Sequence, residues 1–197
     1  ILPHEEVCFV GQVVAVVLAN SRYIAEDAVA LVNVEYEPLP AAVDCREAAR
    51  ADSPSVHHSS ITNIVSEFRM EYGECDRAFD NAAHVIGVSL KQHRGAAHPL
   101  EGRAIMASHD PDAGVTTVWC SSQTPHHLRD VLAQSLGIAE DEIRVIVPDV
   151  GGAFGAKNLV YPEDIVVTAA ARLLGRPVKW VEDRREHFLA AIQARDQ

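Results

Sequence analysis

An α+β fold in two unequal units is what the sequence predicts, from three observations. A β-branched run at residues 143–147 (IRVIV) passes through Pro148-Asp149 into the glycine-rich stretch VGGAFGAK at 150–157, and a helical pattern follows over Pro162–Leu174. Two more apolar runs, residues 104–108 and Val115–Cys120, flank Asp110-Pro111-Asp112-Ala113-Gly114, a composition that favours a hairpin turn. A polar, proline-punctuated stretch at 45–60 separates all of this from a shorter strand–helix–strand pattern. The expected division is therefore residues 1–44, a linker at 45–60, and residues 61–197.

In chain order, residues 10–18 form an almost continuous apolar run, the pattern of a strand buried on both faces. Gly11-Gln12 reads either as ligand-facing or as a tight strand entry with a capped amide, and the second fits the local pattern better. Ser21 is placed to cap a helix over 22–31, with Tyr23, Ala25, Ala28 and Leu31 on one side and Glu26 and Asp27 on the other. Residues 32–36 read as a strand that Pro38 and Pro40 end. In the linker, His57-His58 suggests a metal, but neighbouring side chains on an extended chain point to opposite sides. No carboxylate or cysteine stands at ligand spacing, so a solvated linker is the expectation.

The second unit starts with an extended segment at 64–72 closed by Gly73, a short helix at 75–83 and a strand at 85–90. His98, Glu101 and Arg103 cluster ahead of the hairpin. They read as a buried charge pair that aligns the strand or as an acid/base group, and no acid/base role is assigned to them. Thr124 opens a helix through Leu136 that Gly137 stops. Gln123, between strand and helix, either offers its amide to a ligand at the carboxyl edge of the sheet or braces the turn. His126-His127 reads as surface. Gly175 ends the helix Pro162–Leu174, residues 177–181 form a strand, 182–186 a mixed charge run at a solvated rim, and 187–191 an extended or turn segment.

The loop at 150–157 carries the chemistry. Gly151, Gly152 and Gly155 lack Cβ atoms, so the backbone can turn through positive φ and approach a ligand closely. Exposed amides there suit phosphate or a metal-bound oxo group. The spacing is neither the dinucleotide GxGxxG nor the Walker GxxxxGK[ST]. Taken alone, the loop reads equally as an ordinary glycine-rich connection.

Composition bounds the rest. With 197 residues, 48% of them apolar, the chain can bury a sizeable core, and a net charge of −11 argues against a nucleic-acid surface. No apolar run reaches the roughly 18 residues of a membrane span, and the start, ILPHEEVCFV, is no signal peptide. A cytoplasmic location is expected, with a periplasmic one left open because residue 1 is Ile. Cys8, Cys45, Cys75 and Cys120 form no CxxC pair, which argues for reduced thiols rather than a zinc or iron–sulfur ligand set.

Six stretches together resemble one family: FVGQVVAVV (9–17), EYEPLP (35–40), HPLEGRA (98–104), SSQTPHHLR (121–129), PDVGGAFGAK (148–157) and LGRPVKWVEDRREHF (174–188). In order and spacing they are similar to the molybdopterin-binding large subunit of the xanthine dehydrogenase, aldehyde oxidase and carbon monoxide dehydrogenase family. The resemblance implies the end of an α/β hammerhead domain followed by the first part of a molybdopterin-binding α/β domain with a mixed sheet. It also implies molybdopterin with molybdenum as cofactor, the cytosine dinucleotide being one form, with iron–sulfur clusters and FAD on partner chains or domains. The implied partners are iron–sulfur and flavin subunits in an oligomeric complex, with a small-molecule substrate.

Carried over residue by residue, Gly151, Gly152, Ala153, Phe154 and Gly155 line the cofactor, Phe154 near the substrate side, and the amide of Gln123 faces an oxo ligand of molybdenum. The metal is held by the pterin's dithiolene, so no protein metal ligand is expected. The implied reaction oxidises a carbon centre of an aldehyde, an N-heterocycle or carbon monoxide with water as oxygen source. Purine-oxidising members carry a glutamate after the lysine of the glycine motif, where this chain has Asn158. The family's general base lies near the far C-terminus, so no catalytic residue is assigned and the base is expected beyond Gln197; the isolated segment is expected to be inactive. The alternative is a non-catalytic binding or scaffolding module of the same fold, which a stop codon after Gln197 would favour.

Overall fold

The computed structural model describes residues 2–194. Residue 1 and residues 195–197, the outer ends of the two expected units, lie outside the described residues. The strands are β1 (Gly95–Ala96), β2 (Ala104–Asp110), β3 (Val115–Cys120), β4 (Ile143–Ile146), β5 (Val178–Val181) and β6 (Gln193–Ala194). The helices are α1 (Arg22–Val29), α2 (Cys45–Ala48), α3 (Cys75–Asp80), α4 (Pro125–Leu136), α5 (Pro162–Leu174) and α6 (Arg184–Ala190). Residues up to 34 together with 95–194 make one compact unit, and residues 35–94 a second.

The larger unit is built on a four-stranded sheet in the order β4-β3-β2-β5. β2 pairs antiparallel with both β3 and β5, whereas β3 and β4 run parallel across α4, so the sheet is mixed as expected. Register puts Ile105 opposite Cys120 and Ala107 opposite Val118, and these four apolar side chains line one buried face. The hairpin turn is built by its aspartate: Asp110 Oδ1 accepts from the amides of Asp112 and Ala113 at 3.0 and 3.1 Å. α4 and α5 cover the buried face with residues one helical turn apart, Leu128 with Leu132 and Val167 with Ala171. Both helices end at a left-handed glycine, Gly137 at φ 66° and Gly175 at φ 58°, as their positions in the sequence imply.

Several expectations are overturned, mostly outside this sheet. Residues 10–18, 32–36 and 85–90 form no strands, because a strand exists only through its ladder and no neighbouring segment among the described residues bonds to them. The side chains of 32–36 and 85–90 are correspondingly exposed, whereas 10–18 is mixed, Val10 at 79% exposure but Val13, Val14 and Val17 half-buried. The capped helix α1 forms, with Ser21 Oγ accepting from Ile24 N at 3.3 Å, but it has no buried residues, so the apolar side expected to pack lies open. Gly11 is therefore no strand entry but part of a turn, packed so closely that a Cβ would meet Leu189 at 2.6 Å, while the capped amide forms as expected, Gln12 Oε1 accepting from Cys8 N at 2.7 Å.

The smaller unit contains α2, capped by Asp44 within the stretch expected to be a linker, and α3. Asn63 knits it together by donating to Ala48 O and Pro54 O at 3.0 and 2.9 Å. The run expected to be a solvated rim and then an extended segment is instead α6. Asp183 caps it by accepting from Arg185 N and Glu186 N, which begins a helix where apolar periodicity gave no warning.

Candidate cofactor-binding site

The site grows out of the end of β3. After Cys120 the chain leaves the sheet through Ser121-Ser122-Gln123 and enters α4. Ser121 stays on the neighbouring strand, its amide donating to Ala104 O and its hydroxyl accepting from Ala104 N, both at 3.1 Å. Gln123 N–H donates to Lys157 O at 2.9 Å, and Thr124 Oγ1 donates to Asn158 O at 3.0 Å. The C-terminal end of the glycine loop is thus tied to the strand-to-helix switch, at the carboxyl edge of β3 and β4. The side chain of Gln123 is exposed beside it.

Within the loop, Gly152 (φ 95°), Phe154 (φ 53°) and Gly155 (φ 93°) take left-handed conformations. For Phe154 that costs about 1–2 kcal/mol relative to a helical φ, and its ring is 79% exposed. Among the described residues, the amides of Gly152, Ala153, Phe154 and Gly155 find no acceptor. A Cβ on Gly155 would meet nothing within 4 Å, so that side is open to close approach. Four free amides in a turning backbone, with a side-chain amide at the loop's end, fit a group rich in oxygen acceptors and negative charge. The loop's last residues are fastened below: Ala156 and Lys157 are buried, and Tyr161 Oη donates to Ala156 O at 2.6 Å.

Glu101 closes the loop from the other side. Its carboxylate accepts from Gly151 N, and Lys157 Nζ lies 3.4 Å from its Oε1. That ammonium is wholly buried, attracted by Glu101 yet without a hydrogen bond. The three residues expected to cluster therefore separate. Glu101 serves the loop, and His98 is exposed, its ring edge-on to Phe188 at 4.9 Å. Arg103 pairs elsewhere.

Arg103, 5% exposed, binds Glu182 through Nε at 2.9 Å and Nη2 at 2.6 Å, and its backbone amide donates to Glu182 Oε2 at 2.8 Å. Glu163 lies 3.3 Å from the same guanidinium, which stacks 3.8 Å over the Tyr161 ring. His187 bridges Glu182 at 2.8 Å and Ala97 O at 2.7 Å. Burial pushes the Glu182 carboxyl up, but the hydrogen bonds and charge of Arg103 outweigh it and hold the group below its ordinary value. Asp164 has no such cation in contact, and burial raises its carboxyl to about 6. Burial, with a contribution from Asp164, pushes the Cys120 thiol up to about 12, which leaves it inert. Sequence reasoning missed Glu182 and His187, since a charge run such as EDRRE reads as solvent-facing unless the buried arginine it serves is known; Asp164 stands at the first turn of α5, and its burial is what the sequence does not show. Their arrangement is structural, bracing β2 against β5 and the start of α5 behind the loop.

Comparison with known proteins bears on this geometry. The sequence model of the molybdopterin cofactor-binding domain matches residues 56–197, and that of the aldehyde oxidase and xanthine dehydrogenase a/b hammerhead domain matches residues 1–40. The chain is 38% identical over its whole length to 24% of the nicotine 6-hydroxylase large subunit of Paenarthrobacter nicotinovorans. It is 37% identical to the carbon monoxide dehydrogenase large chain of Hydrogenophaga pseudoflava, covering all of this chain and 26% of that one. Quinoline 2-oxidoreductase from Pseudomonas putida 86 superposes on 95% of the chain with a TM-score of 0.88 and 39% identity, over 24% of its own length. The chain thus spans about a quarter of the length of these relatives. Among the described residues, no helix is long and apolar enough to cross a membrane. Sequence motifs, mixed sheet and both family models agree: the chain belongs to the xanthine dehydrogenase, aldehyde oxidase and carbon monoxide dehydrogenase family, as a segment of its molybdopterin-binding large subunit.

Proposed function

We propose that this chain forms one wall of the cofactor site of a molybdenum hydroxylase that oxidises a carbon centre with water as oxygen source. The observation that carries it is the meeting of two motifs far apart in sequence: Gln123 N–H bonds to Lys157 O, so its side-chain amide stands beside a loop with four unpaired amides. Gly152, Ala153, Phe154 and Gly155 would hold the pterin's oxygens by backbone donation, Gly151 keeps the loop entry narrow, and Gln123 would donate its amide to an oxygen on the metal side. Phe154, held left-handed and exposed, offers an apolar face for a planar or small substrate. When bound, the cofactor supplies two-electron chemistry at the carbon centre; this chain's residues orient it and exclude water from the wall behind it.

The pterin's nucleotide, the partner subunits carrying iron–sulfur clusters and flavin, the oligomeric complex and the cytoplasmic setting complete the proposal. So does the division into a hammerhead end at 1–44, a linker at 45–60 and the cofactor domain at 61–197. Aldehydes, N-heterocycles and carbon monoxide are the substrate classes, because Asn158 stands where purine oxidisers carry a glutamate. A non-catalytic module finds no support in relatives named as hydroxylases and dehydrogenases. The test is elemental and pterin analysis of the full-length protein expressed with its neighbouring subunits. Stoichiometric molybdenum and pterin, lowered in Gln123→Ala, support the assignment, and their absence from the wild type would overturn it.

A further inference from the structure

The carboxylate of Glu101 touches both ends of the glycine loop. It accepts the amide of Gly151, where the loop begins, and faces the ammonium of Lys157, where it ends, with Oε1 3.4 Å from Nζ. The backbones meet as well, Glu101 N–H donating to Gly151 O at 3.3 Å. Just before it, the buried Pro99 lies under the loop, so that a Cβ on Gly152 would come within 3.3 Å of its ring. The loop's own hydrogen bonds, Ala156 N to Ala153 O at 3.0 Å and Asn158 N to Gly155 O at 3.2 Å, hold only its second half; its first half is seated on this one short turn.

Two details make this turn more than packing. Gly151 has no positive φ, so its lack of a side chain is not a matter of backbone conformation; an added Cβ would sit 2.8 Å from both Cβ and Oε2 of Glu101. The glycine is there to admit the carboxylate. Lys157, for its part, is too buried to reach a ligand, yet its ammonium has no hydrogen bond and Glu101 is its one ion-pair partner among the described residues. A buried, under-satisfied charge is expensive to keep, and here its attraction to Glu101 pulls the two loop ends towards each other.

We propose that Glu101 and Lys157 are a positioning pair. Their attraction sets the separation of the loop ends, and with it the direction of the free amides at 152–155 and the left-handed backbone of Phe154. This rests on the glycine loop being the cofactor wall. Neither side chain touches the cofactor; both act through the loop backbone.

The test uses the full-length protein with its partner subunits, in Glu101→Gln and, should that variant fold poorly, Lys157→Met. In protein made without pterin, hydrogen–deuterium exchange over residues 150–158 should quicken about tenfold in either variant, while β2 and β3 keep wild-type protection. In protein made with pterin, molybdenum content should fall several-fold, and the Mo(V) resonance of the loaded fraction should shift, a signature that mere loss of stability would not move. Lys157→Arg, which keeps the charge, should recover most of the content. Wild-type exchange in the loop, or an unshifted resonance at full occupancy, would overturn the inference. Failure of the cofactor reading looks different: the wild type itself then holds neither molybdenum nor pterin, and the inference falls with it.

Discussion

Removing the guanidinium of Arg103 tests what holds the wall behind the site. In Arg103→Met, Glu182 loses contacts of 2.6 and 2.9 Å and Glu163 loses its cation at 3.3 Å, leaving two carboxylates in a buried space. Breaking a buried pair from one side costs about 3–5 kcal/mol, and loss of the stack on Tyr161 adds about 0.5–2 kcal/mol. Glu182→Gln alone should cost less, roughly 2–4 kcal/mol, because the amide still accepts from the Arg103 backbone. The double variant removes both the cation and the charge it compensates, so it should be better than additive by at least about 2 kcal/mol. Opening free energies of β2 and β5 amides, from native-state hydrogen exchange on the full-length protein, read this directly. Additivity to within about 0.5 kcal/mol would refute the idea that Glu182 is there to serve Arg103.

Other consequences follow from single residues. Asp164, raised to about 6 by burial, binds its proton more tightly folded than unfolded; stability from this group is therefore full below about 3.8 and lost as pH rises through 6. Asp164→Asn should remove that slope and add up to about 3 kcal/mol at pH 7, checked by exchange at pH 5 and 7.5; an unchanged slope would count against it. Glu182, held low by Arg103, has the opposite sign: its contribution is present at neutral pH and lost as pH falls through its depressed value, so Glu182→Gln should blunt acid unfolding. Gly151→Ala should drive the loop off Glu101 and lower molybdenum content several-fold while β2 stays protected. Phe154→Ala should change stability by under about 0.5 kcal/mol but alter KM, and an unaltered KM would remove Phe154 from the substrate side.

The elements legible in the sequence are those whose signals are local. The Asp-Pro-Asp-Ala-Gly turn, the hairpin strands β2 and β3 on either side of it and the glycines ending α4 and α5 all act within a few residues, and each stands where the sequence indicated. The glycine loop was legible for the same reason, since missing Cβ atoms show in the residue names. What was not legible depends on partners. The apolar run at 10–18 has the composition of a buried strand, but composition supplies no ladder, and the segment is at most half-buried with no strand partner among the described residues. The charge run beginning at Glu182 has the composition of a solvated rim, yet a buried arginine 79 residues earlier draws its first carboxylate inside and Asp183 winds the rest into α6.

The sequence by itself determined the family, the hairpin, the two capped helices and the glycine-rich loop, because motif identity, turn chemistry and the absence of side chains are properties of neighbours along the chain. Only the tertiary structure decided that Gln123 stands against the end of the glycine loop, that Glu101 rather than Arg103 attends to that loop, and that Glu182 is buried. Each of these depends on which distant group compensates a charge or an amide once water is gone, and that choice is made by packing.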